Sequence, residues 1–202
     1  MTEQLSVSPA VDVGDAARAE MYVLLGTLLS GPPDEAILEM LLDIDAGEAE
    51  ATPMGALWQS LQGAARATNT ERLTDEYFNL FIGLGRGELL PYASFYIHGF
   101  LMEKVLASLR DELKTLGFEL QEGVSEPEDH VAALCETMGM IILESGLPLK
   151  KQSAFFKVYL ETWMGEFFTD LNEAESADFY RAVARLGQQF LEIESQYMTM
   201  HA

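Results

Sequence analysis

The chain has 202 residues, 49% of them hydrophobic, and carries 12 basic against 33 acidic side chains for a formal net charge of −21. That apolar fraction provides a core and argues against intrinsic disorder, and the length fits one domain spanning residues 1–202. A surface this acidic repels phosphate backbones and anionic headgroups, which disfavours nucleic-acid and membrane-surface binding and favours a basic or mixed-charge partner.

The segment Met1–Glu20 holds one arginine and several acids with no apolar stretch, so it does not read as a signal peptide. Residues 1–50 contain one basic residue, Arg18, and eleven acids, a net of −10. Such a run is either a solvated helix face or a field that steers a basic ligand. Ala17, Met21, Leu24 and Leu28 form the first helical stripe. Met21–Gly31 is the longest near-apolar stretch, short of the roughly 20 residues that a membrane span needs. The reading is a soluble, cytoplasmic protein without stable membrane insertion.

Gly31-Pro32-Pro33 stops the first helix and Asp34 is placed to cap the second; the stretch from Ala46-Gly47 to Pro53 separates the second from the third. The segment Asp75–Gly83 is acidic and aromatic. It leads into Gly83–Pro91, a loop with three glycines and a proline. Gly83-Leu84-Gly85-Arg86-Gly87 lacks a following Gly-Lys-Ser/Thr and a preceding strand, so it fails as a phosphate-binding loop. A long helix is expected from about Ser94 to Leu116, with the stripe Leu101, Val105, Leu109, Leu113, Leu116, and Gly117 ends it. Ser125-Glu126-Pro127-Glu128 has capping-box spacing, and Glu126, Glu128 and Asp129 in a first turn face a helix dipole favourably.

Three more stripes follow: Val131, Leu134, Met138, Ile141; then Phe156, Leu160, Trp163, Phe167; then Phe179, Val183, Leu186, Phe190, Ile193, Tyr197. Gly146–Pro148 and Asn172–Ser176 divide them. The expected fold class is all-α, a single globular domain of seven to nine helices with essentially no sheet. The Gly83–Pro91 and Gly117–Ser125 loops are hinge candidates, which leaves both a monomer and a domain-swapped homodimer open.

Sites for chemistry are few. His98, His130 and His201 show no metal-ligand spacing, so no metal and no cofactor are expected. Cys135 is the sole cysteine; it excludes an intrachain disulfide, suits a reducing compartment and reads as a core thiol. No catalytic residue is assigned. The aromatics Tyr77, Phe78, Phe81, Tyr92, Phe95 and Tyr96 around one loop are either core or anchors for a bound peptide. Asp129-His130 is either a polar corner for a basic ligand or a satisfied structural pair.

Glu76-Tyr77-x-x-Leu80-Phe81-x-Gly83, then Pro91-Tyr92-x-Ser94-x-Tyr96, then Glu126-Pro127-Glu128-Asp129-His130 resemble the TorD/DmsD family of cytoplasmic chaperones that mature molybdoenzymes. The resemblance implies an all-helical fold and a non-enzymatic protein. It implies binding of the twin-arginine leader and the apoenzyme of a molybdenum-cofactor oxidoreductase of the trimethylamine N-oxide or dimethyl sulfoxide reductase kind, assisting cofactor insertion and delaying export. Molybdenum-cofactor delivery proteins are further implied partners. Carried over by motif, the leader-binding residues are Tyr77, Leu80, Phe81, Pro91, Tyr92, Asp129 and His130, with Asp129 expected to meet the arginine fork. Met138 and Met140 would offer an adaptable wall if they face the groove, and as core filler they are equally ordinary. Ala93 stands where family members often carry Glu or Gly, which removes a charge contact there. An assembly chaperone of a non-exported nitrate-reductase-type enzyme, and a weak nucleotide-binding or hydrolysing protein, are the alternatives.

Overall fold

A computed structural model of the chain describes residues 13–44, 52–99, 103–118, 127–143 and 147–200. Ten α-helices run through them: α1 (Val13–Ser30), α2 (Glu35–Asp43), α3 (Pro53–Ala67), α4 (Thr70–Tyr77), α5 (Ala93–His98), α6 (Glu103–Thr115), α7 (Val131–Leu143), α8 (Leu149–Tyr159), α9 (Met164–Glu173) and α10 (Phe179–Met200). A π-helical segment, Phe78–Ile82, extends α4 directly. Among the described residues there is no strand, only an isolated antiparallel bridge between Tyr92 and His130. The all-α expectation therefore holds.

The helix starts follow local chemistry. Asp34 Oδ1 accepts the Ile37 amide at 2.9 Å, Thr52 Oγ1 accepts Gly55 at 3.1 Å beside Pro53, and Asn69 Oδ1 accepts Arg72 at 2.9 Å. Each cap satisfies an amide that a helix start leaves free. The C-terminus of α2 is closed from outside: buried Gln62 on α3 donates to the carbonyls of Leu41 and Ile44 at 3.1 and 2.8 Å.

The count exceeds the seven to nine helices expected because two apparent helices are broken. The segment read as one helix from Ser94 to Leu116 stops at Gly99, whose φ of +79° lies in the left-handed region that glycine enters without a Cβ penalty. The stripe Phe156–Leu160–Trp163–Phe167 crosses the α8–α9 break, yet all four side chains are buried. A stripe of apolar residues reports a buried face, not an unbroken helix. In α10 the buried face drifts: Ile193, expected inside, is exposed, and Glu194 and Met198 are buried instead.

Buried apolar side chains from α1, α3, α7, α9 and α10 join one connected core. Helices α1 and α7 approach closely because each presents a glycine to the other. A Cβ on Gly26 would lie 2.9 Å from Glu136 Cγ, and one on Gly139 would lie 3.1 Å from Val23 Cγ2. Helix α10 packs on α9 in the same way, Gly187 receiving the Phe168 ring.

A buried ion pair ties α1 to α10. Arg18 Nε and Nη2 donate to Glu194 at 2.6 and 3.1 Å, and Nη1 donates to Asp15 at 2.6 Å and to Gln152 Oε1 at 3.2 Å. The guanidinium also lies 4.4 Å from the Tyr197 ring centre. Against the desolvation of burial, Glu194 and Asp15 hold it charged. Burial, and then the Glu194 carboxylate, push the nearby Tyr22 hydroxyl well above its usual range. The sole basic residue of the first fifty is thus consumed inside the fold, and leaves that quarter's acids without a surface cation of their own.

The α9–α10 contact generates a test. A Cβ at Gly187 would sit 2.4 Å from Phe168 Cζ. Gly187→Ala is expected to lower the unfolding free energy by about 1–3 kcal/mol through overpacking. A urea midpoint equal to wild type would refute the close approach.

Candidate functional site

The acidic–aromatic segment is built first by a carboxylate. Glu76 on α4 is buried, and Oε1 accepts the amides of Asp178 and Tyr180, both at 2.8 Å, while Oε2 accepts Phe179 at 3.2 Å. These are the free amides at the start of α10, so Glu76 caps a helix distant in sequence. Twelve residues on, Glu88 accepts the amides of Glu175 at 2.5 Å and Ser176 at 3.1 Å. Two carboxylates from one stretch therefore clamp the α9–α10 corner. Despite its desolvation, those amides hold the Glu88 carboxyl below the usual glutamate range.

Beyond Glu76 the chain winds into the π segment, closed by Gly83 donating to Phe78 O at 2.7 Å. The wider winding turns Leu80 fully into the core, leaves Tyr77 and Phe81 half-buried, and sets Phe78 and Ile82 outside. Gly83 has φ +61°, and a Cβ there would lie 2.0 Å from Arg86 O, so the tight turn after the segment requires glycine. On that turn Leu84 is 99% exposed. Tyr77, Phe81 and Tyr180 form one cluster, with ring centres 4.9 Å apart for Tyr77–Phe81 and 5.6 Å for Phe81–Tyr180. The Tyr77 hydroxyl donates to Leu29 O at 3.3 Å. Together Tyr77, Phe78, Phe81, Ile82 and Leu84 make an apolar ledge at the end of α4.

The second group joins the starts of α5 and α7. Val131 donates to Pro91 O at 2.8 Å, Ala93 donates to Asp129 O at 2.9 Å, and Ser94 donates to the Asp129 carboxylate at 3.1 Å. The Tyr92 and His130 rings meet edge-on at 5.2 Å. His130 Nδ1 accepts the Ala132 amide at 3.2 Å, which places the ring proton of the neutral form on Nε2. Tyr96 continues inward, donating to Asp170 at 3.0 Å and packing on Trp163; burial and then Asp170 push its hydroxyl well above the usual range.

The structure thus sorts the seven expected binding residues into two groups, and places two of them, Leu80 and Asp129, inside the protein. Leu80 is fully buried in the core. Asp129 is 3% exposed, with its carboxylate capping α5, so it does not stand open to an arginine fork. Pro91 is buried; Tyr77, Phe81 and Tyr92 keep partial exposure. Ala93 is buried, so a side chain there faces protein. Met138 is core, and Met140 lies outside. The expected acidic first turn of α7 is also displaced: the helix begins at Val131, and Pro127–His130 form a turn before it. Ser125 and Glu126 lie outside the described residues. Glu128 instead accepts from Arg110 Nε at 2.7 Å, which against desolvation holds its carboxyl below the usual range.

Sequence reasoning missed Ile82 and Leu84 as exposed apolar groups, and the roles of Glu76 and Glu88. No local signal marks a carboxylate whose partners lie about 90 to 100 residues away. Cys135 is buried, and burial raises its thiol far above the usual range, which removes it as a nucleophile. Among the described residues no set of three metal ligands converges. What this arrangement offers chemically is contact area.

A family model described as nitrate reductase delta subunit matches residues 48–169. The Chaperone protein TorD of Vibrio cholerae is 28% identical over 130 residues, a match spanning 59% of each chain. That of Shewanella loihica is 26% identical over 210 residues, covering 93% of this chain and 97% of the relative. A crystal structure from Archaeoglobus fulgidus, described as a redox enzyme maturation protein, superposes with a TM-score of 0.59 at 22% identity, over 95% of this chain and 99% of that one, and so shares the fold.

Two tests follow from the clamps. Glu76→Ala strands three amides, two of them on buried residues, and is expected to cost about 2–4 kcal/mol in urea unfolding. Undiminished stability would refute the capping role. Glu88, depressed in the folded state, contributes stability that is present above its unfolded value of about 4.3 and is lost as pH falls through the lower folded value. Glu88→Gln should therefore flatten stability against pH below about 4.3, and an unchanged acid slope would refute its part.

Proposed function

We propose that this chain, which belongs to the TorD-like family matched by the nitrate reductase delta subunit model, is a non-catalytic cytoplasmic chaperone of a molybdenum-cofactor oxidoreductase. In this reading it binds the client's twin-arginine leader and its apo-form, assists cofactor insertion and delays export. The observation that carries the reading is the family match, joined to an exposed apolar ledge on a chain of net charge −21.

The physical fit has two parts. A twin-arginine leader couples a basic region to a moderately apolar stretch. The acidic surface attracts the first and raises the encounter rate at low salt. The ledge of Tyr77, Phe78, Phe81, Ile82 and Leu84, with Tyr92 beyond, offers the second a surface on which a helix can lay its apolar face. Asp129 and His130 act as positioning residues, because they hold Tyr92 and the start of α5 where the Gly83–Pro91 loop returns.

The description of the family model favours a second reading, an assembly chaperone that grips the N-terminus of a non-exported reductase. Calorimetric titration separates the two. The first partner is a twin-arginine leader peptide from a molybdoenzyme, and the control is the same peptide with both arginines changed to glutamine. The leader should bind, the control should bind about tenfold more weakly, and Ile82→Ser should weaken the leader to a similar degree. No binding of either peptide would overturn leader recognition and leave the client-body reading.

A further inference from the structure

A groove of about 340 Å³ lies where the α8–α9 corner meets α10, and none of its lining residues belongs to the aromatic ledge or to the Pro91–His130 seam. Phe156 and Leu191 form its buried apolar floor, and its rim carries two exposed carboxylates, Glu161 and Glu192. Ser195 sits one helical turn beyond Glu192, and its hydroxyl donates to Glu161 Oε1, so one turn of α10 brings both carboxylates to the same edge. Gln189 donates to Glu192 Oε2 at 3.3 Å. One oxygen of each carboxylate stays uncommitted among the described residues, and neither carboxylate makes an ion pair there. Among the described residues no basic side chain lines the groove.

Gly165 opens on the same space. It occupies the second position of α9. Packing does not require it: a Cβ there would meet nothing within 4 Å. Gly187, by contrast, is forced by the Phe168 ring. The volume above Gly165 belongs to the groove, since this residue lines it.

We propose that this groove seats an arginine side chain of a client segment, with its guanidinium on Glu161 and Glu192 and its methylene stem on Phe156 and Leu191. Arginine fits better than lysine, because its planar fork meets carboxylates through several donors at once and is more weakly hydrated. Its stem covers apolar floor while its charged head stays at the rim. The inference rests on the reading that the client segment carries arginines, and adds a seat for one of them away from the aromatic ledge.

The test uses the full chain. Titration with N-acetyl-arginine amide, followed by amide NMR shifts at low salt, should move Gly165, Gln188 and Ser195, and N-acetyl-lysine amide should move them less. The double variant Glu161→Gln/Glu192→Gln should weaken arginine amide and leader peptide by about fivefold each. Gly165→Leu fills the groove without changing charge and should do the same, with helical content checked by circular dichroism. Groove shifts with arginine amide but no leader binding would support the seat and sink the leader reading. Leader binding undiminished in both variants would overturn the seat and leave the leader reading intact. Shifts absent from the groove amides would overturn it as well.

Discussion

The bond between Glu76 and the first amides of α10 is the constraint on which the rest of the site depends. Helix α10 is the longest element and packs on α9, α3 and α1. Its start is fixed by a carboxylate from α4, in a position where three amides would otherwise be stranded. Because Glu76 faces inward, the next residues are phased: Leu80 follows it into the core, and the π winding turns Phe78 and Ile82 outward. The ledge is therefore a consequence of a structural bond. A conventional helical continuation would shift the phase of every side chain after Tyr77.

The same logic repeats at Asp129. There a carboxylate and a backbone carbonyl receive the amides of Ser94 and Ala93, while Pro91 receives Val131. Two helix starts are sewn together, and the Tyr92–His130 contact is carried on the seam. Several of the motif residues, Glu76, Leu80, Pro91 and Asp129, are buried and hold the half-exposed Tyr77, Phe81 and Tyr92 in place. An exposed apolar ledge has few polar groups of its own to fix it, so its rigidity comes from bonds beneath it.

Charge divides in a related way. Arg18 is the sole cation of the first fifty residues, and it is buried against Glu194, Asp15 and Gln152. Removing one partner of such a buried pair costs far more than an exposed pair contributes, so its role is to lock α1 to α10. The net charge of −21 is then expressed by carboxylates at the surface, including the two at the α8–α10 groove. An acidic surface with separate apolar ledges suits a partner that is basic in one part and apolar in another.

The helical class, the cap at Asp34 and the stops at Gly31-Pro32-Pro33, Gly83–Pro91 and Gly117 are legible in the sequence alone. These are local properties, set by periodicity over a few turns and by the φ preferences of glycine and proline. The sequence pattern placed a continuous helix across Gly99 and across the α8–α9 corner, because a buried stripe looks the same whether or not the helix breaks beneath it. Only the tertiary structure decided that Leu80 is core, that Asp129 and Glu76 are caps, and that Ile82 and Leu84 face outward. A carboxylate is indistinguishable in sequence whether it meets solvent, an arginine or amides about a hundred residues away; the difference is made by which backbone groups the fold leaves unpaired beside it.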